Sequence, residues 1–166
     1  MSEIEYVEMI CYLEGLNINN VMFPEGFEAQ SLIDAKEDDL YRCYYLAFQA
    51  GDAQFFFDQN EDERREYFDT LGLDKARNEP GSVLILKDGA IVGFTYVLPY
   101  GEGNRHISCM CVLPEYQRQG FGTFMLRFAL EKVANAGHKS ITLGTDTAMG
   151  AFQLYRMNNF KVMEGG

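Results

Sequence analysis

Between Val112 and Thr123 the chain reads Val-Leu-Pro-Glu-Tyr-Gln-Arg-Gln-Gly-Phe-Gly-Thr, and these residue types at this spacing suit an anion. Gly120 and Gly122 carry no Cβ, so the backbone there can turn its amides inward and approach a ligand closely. A helix starting at Gly120 would aim its unpaired N–H groups and the positive end of its dipole at the same point. Arg118 adds a formal charge. Together these features describe a seat for phosphates, a pyrophosphate above all. Two other phosphate loops do not fit. The pattern G-x-x-x-x-G-K-[ST] fails because the chain has no Gly-Lys pair, and G-x-G-x-x-G fails because position 125 is methionine.

The elements that must position this stretch can be read from hydrophobic periodicity. Residues 5–13 are aromatic and β-branched and predict a strand; Phe27 to Leu32 predict a second, after the turn at Pro24-Glu25-Gly26. Leu40, Cys43, Tyr44, Ala47 and Phe48 follow helical spacing between Lys36 and Gln49, and a charged helix runs from Glu61 to about Leu71. The period then shortens to two. Val83 to Leu86 and Ile91 to Leu98 flank Asp88-Gly89, the signature of a hairpin, and His106 to Val112 extend it into a meander. A helix over Gly120 to Ala136, a strand over Ser140 to Thr145, a helix over Met149 to Met157 and a strand start at Phe160 to Met163 complete the pattern. The expected fold class is therefore mixed α/β (α+β), an antiparallel meander joined to a β-α-β-α-β tail with helices on the sheet faces.

Composition narrows the function classes. The chain has 166 residues, 47% of them hydrophobic, and a formal net charge of −11. It is long enough for one domain over 1–166 with a core of its own. The acidic balance argues against nucleic acid, no apolar run is long enough for a membrane span, and the acidic N-terminus is unlike a secretory signal. Cys11, Cys43, Cys109 and Cys111 form no CxxC pair, so the expectation is reduced thiols in the cytoplasm and no metal site. The charge is uneven. Residues 1–80 hold 19 acids and 6 bases, net −13; residues 81–166 hold 6 acids and 8 bases, net +2. The second half could hold an anionic ligand, whereas the acids of the first half serve either a cationic partner or solubility.

The stretch resembles motif A of the GNAT N-acetyltransferase superfamily, V-x-P-x-x-[QR]-x-x-G-x-[GA], through Val112, Pro114, Gln117, Gly120 and Gly122. Ala151 to Phe160 (Ala-Phe-Gln-Leu-Tyr-Arg-Met-Asn-Asn-Phe) is similar to the family's motif B, A-x-x-L-Y-x-x-x-G-F, with Asn159 in place of the glycine and Ala148 where an asparagine usually stands. The resemblance covers about residues 27 to 163. It implies a mostly antiparallel sheet whose two central strands splay apart, with acetyl-CoA as the acyl donor. The diphosphate would dock on the amides of Arg118, Gln119, Gly120, Phe121, Gly122 and Thr123, beside Gln117. The pantetheine arm would lie along the exposed edge of Met110, Cys111 and Val112.

The resemblance also implies catalytic roles. Tyr155 stands where family members place a tyrosine that protonates the leaving thiolate; its other reading is packing between helix and sheet. His106 stands where some members carry a glutamate base, eleven residues before Gln117. An imidazole can serve as that base directly or through water, or can simply hydrogen-bond a neighbour. Alternation places His106, Ser108, Met110 and Val112 on one strand face. Cys109 and Cys111, on the other, read as small core residues rather than nucleophiles, and Phe55-Phe56-Phe57 as core or a loop plug rather than an acceptor pocket. Residues 1–20 exceed the family pattern, while the chain stops where the family completes a strand pair. The N-terminal strand is expected to cover that edge, within the chain or across a homodimer. The implied activity is acetyl transfer to a primary amine of a cationic acceptor; the alternative is a degenerate protein that binds CoA or acyl-CoA as a sensor or interaction module.

Overall fold

The computed structural model describes residues 5–18, 21–117, 119–147 and 150–163. Asp88 (φ 50°) and Gly89 (φ 81°) both adopt the left-handed region and turn strand β3 (Val83–Lys87) back onto β4 (Ala90–Pro99), as their residue types predict. With β1 (Tyr6–Tyr12), β2 (Phe27–Gln30), β5 (Asn104–Val112), β6 (Ser140–Asp146) and β7 (Lys161–Val162) they form one mostly antiparallel sheet, ordered β2-β3-β4-β5-β6-β1-β7.

Helices cover both faces. On one, α1 (Glu37–Gln49), α2 (Gln54–Asp58), α3 (Glu61–Asp69) and α4 (Leu73–Ala76) pack Leu40, Tyr44, Phe56 and Phe68 onto Phe94, Tyr96, Cys109 and Cys111. Neither α2 nor α4 is visible in the periodicity, since each is about one turn long. On the other face, α5 (Phe121–Asn135) sets Leu126, Ala129, Leu130 and Val133 against Val97, Ile107, Ile141 and Leu143. Helix α6 (Gly150–Met157) adds Phe152, Leu154 and Tyr155 at the margin of that cluster.

Strand β1 does more than cover an edge. It lies inside the sheet, antiparallel to β6 from Tyr6↔Asp146 to Tyr12↔Ser140 and to β7 at Met9↔Val162 and Ile10↔Lys161. Met9 and Cys11 are fully buried beneath α5, which fixes the register, because a one-residue slip would turn both into solvent. Of the two expected arrangements, pairing within the chain is the one found.

Two irregularities in β5 shape the sheet around it. Its parallel pairing with β6 spans only Asn104↔Ser140, Arg105↔Ile141 and His106↔Thr142; past that rung the strands diverge, as the expected splay requires. Against β4, the register jumps from Tyr96↔Cys109 to Val97↔Ile107, so Ser108 is an extra residue in a β-bulge. The bulge overturns the expectation that His106, Ser108, Met110 and Val112 share a face. One inserted residue resets the alternation: Ile107 and Met110 pack toward α5, whereas His106, opposite Leu98, shares the α1–α4 face with Cys109. Ser108 Oγ donates to Leu71 O at 2.6 Å on that same face.

Candidate active site

Because β6 leaves β5 after Thr142, the β5 edge from Ile107 to Val112 has no strand partner on that side. Its outward-facing main-chain groups therefore line an open fork. A cleft of about 750 Å³ lies along this edge, and Met110, Cys111, Val112, Gln117, Gly120, Phe121, Gly122 and Thr123 are among its lining residues. The opposite wall comes from the end of α1 and the segment after it (Phe48, Gly51, Asp52), and the floor includes Gly150, Ala151 and Leu154 at the start of α6.

The turn into α5 is built for close approach. Gly120 caps the helix with φ 84°, a conformation that side chains rarely adopt. The first intrahelical bond runs from Phe124 N–H to Gly120 O at 3.1 Å, so the amides of Phe121, Gly122 and Thr123 precede the helical ladder and face the cleft mouth. A Cβ on Gly122 would meet Leu154 Cδ2 at 3.1 Å, which is why α6 can lie so near α5 here. Gln117 contributes as a staple: its Nε2 donates to Val112 O at 3.0 Å and to Ala47 O at 3.4 Å, tying the loop to both walls. The Gln119 side chain is exposed and donates to Glu115 O at 2.8 Å, outside the cleft lining. Arg118 lies outside the described residues.

His106 sits at the apex of the fork, on the last paired rung, and is not among the residues that line the cleft. Its Nδ1 lies 2.8 Å from Thr142 Oγ1, the residue that pairs with it across the last rung, and its ring packs 5.4 Å from that of Tyr100. Burial lowers its pKa from the ordinary imidazole value, and Glu8 opposes that effect. Tyr155, on α6, does not line the cleft; it is half-buried with its ring 5.9 Å from Phe160. Burial, and to a lesser extent Cys109, push its hydroxyl up to about 12, so it holds its proton at neutral pH. The thiols are inert by environment. All four are free and buried, and Cys111 is raised well above its usual range, by burial first and then by hydrogen bonding to Cys109 and Cys43. Phe56 is core, with the Arg64 guanidinium over its ring at 4.3 Å, while Phe57 is exposed.

The sequence model of the Acetyltransferase (GNAT) family matches residues 30–160. The chain belongs to the GNAT acetyltransferase family. No curated protein sequence matches it. Among solved structures, a GCN5-related N-acetyltransferase from Sphaerobacter thermophilus superimposes with a TM-score of 0.73 at 19% identity, over 96% of this chain but only 49% of the other. The PaiA N-acetyltransferase of Thermoplasma acidophilum, solved in complex with coenzyme A, gives 0.65 at 15% identity, over 84% and 92%. The ribosomal-protein-S18-alanine N-acetyltransferase of Escherichia coli gives 0.57 at 17% identity, over 80% and 76%. At these identities the likeness is one of fold. This GNAT chain spans about half the length of the Sphaerobacter protein.

Two contributors escape sequence reasoning. Thr142 is 36 positions from His106, and no local pattern marks it as a partner. Tyr6 belongs to the N-terminal strand, and its hydroxyl occupies the place where a Cβ on Gly144 would lie. A glycine inside an otherwise β-branched strand does signal close approach by another group, and Gly144 carries that signal. Among the described residues, no group of three or more His, Cys, Asp or Glu could hold a metal ion, and no helix is long and apolar enough to cross a membrane.

Proposed function

We propose that this GNAT chain transfers an acetyl group from acetyl-CoA to a primary amine, with a cationic acceptor favoured by the acidic N-terminal half. One observation supports the reading: Val112, Gln117, Gly120 and Gly122 of the first motif and Ala151 and Leu154 of the second line a single cleft along the unpaired edge of β5. The residues fit the donor at both ends. The amides of Phe121, Gly122 and Thr123, with the helix dipole behind them, suit a diphosphate. The unpaired edge of Met110, Cys111 and Val112 suits the amides of a pantetheine arm, which it would meet as a strand meets its neighbour.

The chain's own groups then divide the proton work. Thr142 Oγ1 is placed to donate to Arg105 O, which leaves it to accept from His106 Nδ1–H; in that tautomer the lone pair of His106 is on Nε2. That nitrogen takes a proton from the incoming ammonium, directly or through water. The freed amine attacks the thioester carbonyl, the C–S bond breaks, and Tyr155 supplies a proton to the departing thiolate; the proton that the nitrogen sheds on becoming an amide returns to the phenolate through water, and His106 releases its own proton to solvent. Calorimetry with CoA, followed by thiol release from acetyl-CoA with a panel of amines, tests this reading. Heat on CoA addition and amine-dependent thiol release support it, and the absence of both overturns it.

A second reading, a CoA-binding protein without turnover, draws on Tyr155, whose ring packs against Phe160 and does not line the cleft. Binding without thiol release for any amine would favour it.

A further inference from the structure

The family motifs leave β1 without a task, yet the fold sets it two strands from the apex of the fork. Thr142 pairs with His106 on one side and with Ile10 on the other, so β1 and β5 flank β6 at this level. Val7, Met9 and Cys11 point toward α5, which by alternation turns Tyr6, Glu8 and Ile10 to the His106 face. Glu8 pairs with Gly144, two residues beyond Thr142 in the direction in which the fork opens. Gly144 brings no side chain to this stretch of β6, where the Tyr6 hydroxyl lies instead, and Thr142 is the β6 side chain that meets the imidazole.

We propose that Glu8 is a positioning residue for His106, a carboxylate delivered by the N-terminal strand to hold positive charge at the apex of the fork. The proposal rests on the reading of His106 as the base. At the level of His106, Thr142 and Ile10, two strand spacings put the β5 and β1 backbones about 10 Å apart. No hydrogen bond joins Glu8 to His106, whose Nδ1 is held by Thr142. The carboxylate thus acts on the imidazole through space. The charge accounting explains why this helps. An acceptor arrives as R–NH₃⁺ and gives its proton to Nε2, leaving R–NH₂ and an imidazolium. One positive charge moves from acceptor to ring, and Glu8 attracts it in both places, so the transfer does not strand a cation in a half-buried site.

Among the described residues, other titratable groups on this face are few. From β1, Tyr6 joins Glu8; from β6, Asp146 lies opposite Tyr6; from the end of β4, Tyr100 covers the ring; and from α3, Tyr67 lies within electrostatic range of Tyr6 and Cys109. Burial raises the Tyr6 hydroxyl, and Glu8 and Asp146 raise it further, so it remains neutral and competes with neither carboxylate for charge. Arg105, one residue before His106, points to the opposite face and pairs with Glu79 at 2.8 Å. Lys161 rests over the Tyr12 ring at 5.0 Å, farther along β1.

The first readout needs neither acceptor nor donor. The chain has 2 histidines, so the ligand-free protein gives two imidazole titrations by NMR, and a His138→Gln variant assigns them. Glu8→Gln should lower the His106 pKa by about 0.5 unit, and Glu8→Asp should restore most of it. The same loss should move the acid limb of kcat/KM to lower pH and raise the KM for benzylamine about fivefold, with little change for aniline, which is neutral at pH 7. Glu8 is exposed and its main-chain pairing is untouched by the amide, so the variant keeps the strand. Were it nonetheless to misfold, 0.5 M NaCl on the unaltered protein should shift His106 downward in the same way. An unmoved or raised His106 titration, in the variant or in salt, overturns the proposal. Failure of the acetyltransferase reading would show separately, as absence of CoA binding by the unaltered protein.

Discussion

His106 and Thr142 form the last rung joining β5 to β6, and the side chains of that same rung meet, Nδ1 to Oγ1, at 2.8 Å. The point where the sheet opens and the point where an imidazole is oriented are therefore one. A Thr142→Val variant keeps the β-branched shape but removes the hydroxyl, freeing the ring to choose either tautomer. We expect about a tenfold loss in kcat/KM with CoA affinity unchanged, and a stability loss of about 1 kcal/mol. Steady-state kinetics beside calorimetry check this; a matched fall in CoA affinity would mean that Thr142 holds the cleft rather than the base.

The buried imidazole has a consequence for pH. Its folded pKa lies below the unfolded value of about 6.5, so the unfolded chain binds a proton that the native protein resists. The stability that this group contributes is complete above about pH 6.5 and is lost as pH falls through the folded value. Activity should follow the same titration, since only the neutral ring accepts a proton, and the acid limb should lie below pH 6.5. Thermal melts between pH 5 and 8 of the native protein and His106→Gln should diverge in slope only in the lower part of that range.

Much of this geometry is legible in the sequence, though unevenly. The period-two runs and Asp88-Gly89 define the meander because alternation and positive φ are local properties. The cradle is legible at Gly120 for the same reason, since its positive φ is local, whereas Gly122 is required by the approach of Leu154 from α6. The face of His106 is not legible. It depends on the bulge at Ser108, whose hydroxyl is anchored to Leu71 O, and no residue of β5 announces that tertiary contact. The place of β1 is likewise non-local. Its strand character is plain, but its choice of β6 as neighbour follows from burying Met9 and Cys11 under α5.

Gly120 offers a test of the cradle. Its φ of 84° makes any side chain strained, and a Cβ there finds its nearest neighbour, Phe124 Cε2, at 3.8 Å. Gly120→Ala should therefore cost about 1 kcal/mol in stability, for conformation rather than collision, and weaken CoA modestly. Gly120→Glu should abolish CoA binding at a similar stability cost, because it sets a carboxylate where a diphosphate would dock. Paired melts and calorimetry separate the two, and equal CoA affinities would show that the phosphates bind elsewhere.

Gly144 predicts the opposite division. An alanine Cβ there would fall on the Tyr6 hydroxyl, yet that hydroxyl is the tip of a side chain 67% exposed and free to swing away. Gly144→Ala should leave the melting temperature within about 2 °C, since the displaced group is flexible and alanine suits a strand better than glycine. The KM for amines should rise, and Tyr6→Ala should raise it equally, with no further rise in the double variant. Independent, multiplying effects would show that Tyr6 does not act above Gly144.

Tyr155 separates an enzyme from a binding protein. Its hydroxyl, pushed up to about 12 by burial, stays protonated throughout the physiological range, as a donor to a thiolate must. Phenylalanine keeps the ring that packs 5.9 Å from Phe160, so Tyr155→Phe removes a proton source while preserving the contact that seats α6. The expected result is a fall in kcat of about tenfold to a hundredfold, with KM and CoA affinity within about twofold. Because the lost step is thiolate protonation, the fall should be smaller for a donor whose thiol is more acidic than CoA. An unchanged kcat would assign protonation to water and leave Tyr155 as the wedge between α6 and the sheet.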